Sequence, residues 1–199
     1  MSAPASFGRP KDGRIPALSL RQPWAWAILH AGKRIENRLA WRSCTYRGPI
    51  ILHASAWPKG KLDADGTLRT RRFPAFEEAA WAMFDAIDPS DRIRLGPVTM
   101  GKLLERRGGV VGCARIVDAV SGSLEFDTKI RMGTISLRQK PWYMGGFALV
   151  LDDVKPLPFI PCGGALGLFG LAPSVYEQVI AAEPSLARSV SDTWSIATA

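Results

Sequence analysis

The chain has 199 residues, 47% of them hydrophobic and 22% charged, which suits one globular domain with a core of its own. No apolar run approaches the roughly 20 residues that a bilayer span needs, and the basic leader MSAPASFGRPKDGR lacks the apolar stretch of a secretory signal. Cys44, Cys113 and Cys162 are odd in number and far apart, which speaks against a disulfide framework and for the cytoplasm. The net charge of +8 is unevenly spread: residues 1–149 hold 24 basic and 13 acidic side chains, residues 150–199 only 2 and 5. Such a surface attracts polyanions, of which nucleic acid is the commonest.

Residues 1–16 are rich in Pro, Gly and Ser and read as a flexible leader. Ala17–Leu20 reads as a short strand. Gln22-Pro23-Trp24 then opens a helix, with proline in its first turn, where a missing N–H costs nothing. The helix runs through AWAILHA and stops at Gly32. Trp24, Ala27, Ile28 and Ala31 share one face, and Trp26 and Leu29 cover much of the rest, so the helix is expected to be largely buried. The segment KRIENR alternates and looks extended. Arg47-Gly48-Pro49 turns the chain into the β-branched strand PIILHAS.

Residues 58–72 read as a polar loop. A second helix follows, with Pro74 near its start and Phe76, Ala80, Met83, Phe84 and Ile87 inward. A linker carrying Pro89, Gly96 and Pro97 leads to a turn of helix around Lys102–Arg107. Gly108-Gly109 opens the strand VVGCARIVDAV, residues 121–141 are expected as loop, and Gly146–Leu151 as strand. The proline-punctuated PLPFIPCGGALGLFGL precedes a last helix near Ser174–Ala182. Residues 17–183 are thus expected to form one α+β domain on a small curved sheet, with 184–199 as a tail.

Three pieces carry chemistry: LSLRQPWAWAIL at 18–29, GKRIENR at 32–38 and YRGPIILHAS at 46–55. Gly32 releases the chain into a strand, so Lys33, Glu36 and Arg38 gather near the helix end. Lys33 and Arg38 offer cations to phosphate, and an arginine can grip two oxygens at once. Glu36 is either their pairing partner or a general base. By spacing alone, an exposed ion-pair cluster is the competing description.

These three pieces in order, followed by PCGGALGLFGL, resemble the ASCH domain family within the wider group of PUA-like folds. The resemblance spans about Ala17 to Pro173, with an enlarged middle around 58–107. It implies a small curved β-barrel flanked by helices, with a cleft associated with RNA or nucleotide-sized ligands. The positions that match the pattern are Gln22, Pro23 and Trp24 at the helix start, and Lys33, Glu36 and Arg38 on the strand. His53 and Ser55 match at the next strand's end, and Gly164, Gly167 and Leu168 in the late glycine loop. Some relatives are amidohydrolases on N4-acylated cytidine, and one is described as a ribonuclease. The amidohydrolases use a lysine like Lys33, a threonine three positions on and a downstream glutamate. Here Glu36 stands at the threonine position, and the downstream acid is Asp118, Glu125 or Asp127.

The leading expectation is a module that binds single-stranded or modified RNA, or a nucleotide, in a basic cleft, with DNA as a variant of the same chemistry. Lys33 and Arg38, with Arg21, Arg42 and Arg47, would hold phosphates. The alternatives are a hydrolase using Lys33 and Glu36 in that cleft, and an adaptor whose basic face meets an acidic protein in transcription or translation. No metal or cofactor is expected, since the cysteines and two histidines lack zinc-site spacing. His30 reads as a core or helix-end histidine, and Ser19, Ser43 and Ser55 lack a nucleophile-elbow context. Trp24 and Trp26 read as core, whereas Trp41, Trp57 and Trp142 are either stacking platforms for bases or rim packing over the barrel ends.

Overall fold

The computed structural model describes residues 13–38, 41, 43–56, 61–62, 68–69 and 73–187. The chain order is β1 (Ala17–Leu20), α1 (Trp24–His30), β2 (Ile35–Asn37), β3 (Gly48–Ala54), β4 (Lys61–Leu62), β5 (Leu68–Arg69) and α2 (Phe73–Ala86). Then come α3 (Pro89–Leu95), α4 (Met100–Leu104), β6 (Gly109–Val120), α5 (Ser123–Arg131), a 3-10 turn (Leu137–Trp142), β7 (Ala148–Pro161), β8 (Leu168–Phe169) and α6 (Pro173–Ala182). Six strands form one sheet in the order β2-β7-β6-β3-β1-β8, and β4 and β5 pair separately. Only β1 and β3 run parallel within the six-stranded sheet. This is the α+β class read from the sequence.

The sheet curls strongly without closing. Arg38, just past the edge strand β2, donates from Nη2 to the carbonyl of Ser19 on β1 at 2.7 Å. Four inter-strand steps separate those strands, which in a flat sheet is about 19 Å, beyond an arginine's reach. The edge strands β2 and β8 do not pair with each other, so the result is a half-barrel.

Period-2 alternation explains how a thin sheet has two cores. Leu18 and Leu20 of β1 and Ile50 and Leu52 of β3 face the inside of the curl, with Ile28, Val111 and Leu149. Ala17 and Ile51 face outward under α6, with Val110, Ile160 and Val179. Strand β3 is therefore buried along its whole length. A third core packs Trp26, Phe76, Met83, Leu103 and Phe126 where α1, α2, α4 and α5 meet.

Several local expectations change. Pro23 sits one position ahead of α1 as its N-terminal cap, after a cis Gln22–Pro23 bond, and not inside the first turn. The expected linker after Ile87 is helix α3, because the Asp88 carboxylate accepts from the Ser90 amide at 2.9 Å and Pro89 fills the first turn. The expected loop 121–141 holds α5 and the 3-10 turn; Phe126 and Trp142 are buried there, and Glu125 pairs with Lys129 one turn on at 3.1 Å. The polar loop 58–72 contains the β4–β5 pair, its remainder lying outside the described residues. The strand expected over Gly146–Leu151 runs as β7 through three prolines to Pro161. Strand β2 covers β7 only over Ala148–Val150, and the β6–β7 register shifts three times. An open edge and bulges are where a strand tolerates proline.

Candidate functional site

The register of the parallel β1–β3 pair sets Ser19 directly beside His53. The Ser19 hydroxyl lies 3.2 Å from His53 Nδ1, and His53 Nε2 lies 3.2 Å from the carbonyl oxygen of Cys162. A carbonyl only accepts, so Nε2 carries the proton and Nδ1 accepts from the serine. Burial holds the His53 pKa below its ordinary value, partly offset by the Cys162 bond, which keeps the ring neutral. Gly164 passes over this pair so closely that a Cβ there would sit 2.7 Å from His53 Nδ1 and 2.8 Å from Ser19 Oγ.

Strand β8 pairs with β1 only at Ala17 and Leu18, which leaves the Ser19 carbonyl to Arg38. Arg38 also meets Glu36 at 3.3 Å, and the other Glu36 oxygen meets Lys33 Nζ at 3.2 Å. Lys33 is 1% exposed, donates to the Ile35 carbonyl, and lies 5.7 Å from the centroid of the Trp24 ring. The Arg38 guanidinium stacks 5.2 Å from the centre of the Trp41 ring, and its buried Nε has no acceptor among the described residues. Burial pulls the Lys33 pKa below the ordinary ammonium range, and Glu36 partly restores it. One carboxylate thus serves two cations inside the protein, and removing it would strand both charges.

A continuous polar file therefore runs Lys33–Glu36–Arg38–Ser19–His53–Gly164. It joins the segment after α1 to the late glycine loop across more than a hundred residues of sequence. The chain is similar to solved ASCH proteins. One is an ASCH protein from Zymomonas mobilis, 17% identical, with a TM-score of 0.39 over 85% of this chain and 96% of that one. A point variant of that protein gives 15% identity and a TM-score of 0.40 over 84% and 97%. No protein-family model matches the chain, and no curated protein does.

The other sequence-selected residues fall as follows. Gln22 accepts from the Trp26 amide at 3.1 Å and donates to the Arg106 carbonyl at 3.0 Å, so it ties α1 to the end of α4. Pro23 is buried, Trp24 half-buried and Arg21 exposed. The Ser55 amide donates to the Leu20 carbonyl at 2.8 Å. Gly167 has φ +77°, a conformation that favours glycine, and delivers Leu168 into β8 opposite Leu18. Asp118 and Glu125 pair with Lys129, and Asp127 with Lys140; Lys33 meets none of the three.

Arg42 and Trp57 lie outside the described residues. Trp41 and Trp142 are 8% and 3% exposed, so both pack inside and neither offers a face to a base. Among the described residues no His, Cys, Asp and Glu side chains gather as a metal site, and no helix is long and apolar enough to cross a membrane. Sequence reasoning missed Ser19 and Gln139. Ser19 looked inert because its partner is 34 residues away. Gln139 lay in the expected loop, yet its buried amide accepts from the Arg34 amide at 2.7 Å and donates to the Gly32 carbonyl at 3.0 Å. It fixes the turn that presents Lys33.

Proposed function

We propose that the protein binds single-stranded or modified RNA, or a nucleotide, at the rim of the half-barrel where the Lys33–Arg38 segment meets the Gly163–Leu168 loop. The observation that carries this reading is the file of contacts joining two distant motifs. Arg38 is its hinge: its side chain is partly exposed, it reaches β1, and it also pairs with Glu36. Arg21 and Arg47 extend the positive surface for phosphates. Gly163, Gly164 and Ala165 expose backbone where a sugar or base edge can approach.

Fluorescence anisotropy with a short single-stranded RNA tests it. Arg38→Ala is expected to weaken binding by about tenfold or more, since a charged hydrogen bond is worth about 1.5–3 kcal/mol. Unchanged affinity in a folded Arg38→Ala variant would move the RNA site elsewhere.

The buried Lys33 with its depressed pKa favours one second reading, a hydrolase in which Lys33 and Glu36 handle a proton. Incubation with N4-acetylcytidine tests that chemistry. Product formed by the wild type and lost in Glu36→Gln would replace the binding module with an amidohydrolase; no product leaves the binding reading in place.

A further inference from the structure

A second basic feature lies apart from the Lys33–Arg38 file, and none of its residues belongs to that file. A cavity of about 180 Å³ opens between α1 and α4, lined by Gln22, Trp26, His30, Lys102, Glu105 and Arg106, among others. Its walls are fixed. Gln22 bonds both the start of α1 and the end of α4, and the His30 ring rests against Trp26 with centroids 5.4 Å apart. Arg94 of α3 donates to the His30 carbonyl at 3.0 Å while held by Asp91 at 3.1 Å, which ties α3 to the end of α1.

The donors in the cavity are unspent. Among the described residues, the Lys102 ammonium, the Arg106 guanidinium and the His30 ring nitrogens make no hydrogen bond or ion pair. Glu105 is the one acid in the lining, set against those two cations. We propose that this cavity binds the terminal phosphate of a small phosphomonoester, with Lys102 and Arg106 neutralising its charge and His30 donating a hydrogen bond to it. A monoester fits better than a diester because a dianion gains more from a histidine that takes up a proton.

The electrostatics agree with the geometry. Burial holds the His30 pKa below its ordinary value, and Arg106, Lys102 and Arg94 push it further down. A bound dianion opposes all three cations, so it must draw a proton onto the ring. By linkage, protons and ligand then bind each other's form more tightly.

The test follows the His30 ring by NMR through a pH titration of the full chain, at constant ionic strength. The probes are inorganic phosphate, adenosine 5′-monophosphate and adenosine. Both phosphates are expected to raise the His30 pKa by about one unit, equivalent to about tenfold tighter binding to the protonated form. Adenosine should leave it unmoved. Lys102→Ala with Arg106→Ala, two exposed positions, should weaken phosphate binding at least about tenfold with the fold unchanged by circular dichroism.

A 5′-phosphorylated RNA oligomer and its 5′-hydroxyl counterpart separate the two sources of such a group. Displacement of adenosine 5′-monophosphate by the phosphorylated oligomer alone assigns the cavity to an RNA end; failure of both oligomers assigns it to a free nucleotide. Adenosine binding as well as its monophosphate, or a His30 pKa that ignores inorganic phosphate, would overturn the proposal. Loss of RNA affinity in Arg38→Ala does not bear on it, so the two sites fail independently.

Discussion

Glu36 and His53 solve the same problem by opposite means, since each is a buried polar group. Glu36 stays charged because Lys33 and Arg38 flank it. His53 stays neutral because Ser19 and the Cys162 carbonyl satisfy both ring nitrogens and burial disfavours the imidazolium. His53 therefore sets a pH dependence with a definite sign. Its folded pKa is depressed below the ordinary value of about 6.5, so the unfolded chain binds the extra proton first. Stability is full above that ordinary value and is lost as pH falls from there through the folded value. His30 acts in the same direction. Urea unfolding at pH 7.5 and pH 5.5 should show the wild type weakened at the lower pH, and His53→Gln should flatten that difference. An unaltered difference would mean that His53 binds its proton equally well in the folded and unfolded chain.

Among the elements, the short α1 depends on its neighbours for its position. A seven-residue helix is marginal by itself, and Gln22 and Gln139 clamp the segments on either side of it. Gln139→Ala would leave the Arg34 amide and the Gly32 carbonyl without partners, at a cost of about 1–3 kcal/mol. Chemical denaturation should register that loss, and amide exchange at Lys33 to Glu36 should speed up ahead of global unfolding. A variant as stable as the wild type, with exchange unchanged, would show that the turn is held by α1 alone. Other elements were legible before the fold was known. Helix α2 and helix α6 follow from apolar periodicity, because each turns one apolar stripe to a core, and strand β1 follows from its short apolar run. Helix α5 did not, since only Phe126 of its nine residues is buried and the rest reads as solvated loop.

At the scale of the molecule, residues 1–149 carry 24 basic against 13 acidic side chains, whereas residues 150–199 carry 2 against 5. RNA affinity should therefore fall steeply as salt rises. Arg21→Ala together with Arg38→Ala should lower the slope of log affinity against log salt by about two, one for each phosphate no longer neutralised. A slope that the double substitution leaves intact would place the phosphate path on another face.

The sequence by itself determined the composition of the two-sided sheet, the position of the motif segments and the charge asymmetry. All three are local or summed properties. The candidate site was legible only as separate pieces. Lys33, Glu36 and Arg38 could be read as an exposed ion-pair cluster, because spacing says nothing about enclosure. Tertiary structure decided that Lys33 is buried, that Arg38 crosses the curl to Ser19, and that Gly164 rests on His53. It also drew Trp41 and Trp142 inside and left the donors of Lys102 and Arg106 facing a cavity beside His30. The physical reason is range. Periodicity and capping act within about a turn or a strand, whereas burial and charge pairing depend on which distant segment the curled sheet brings alongside.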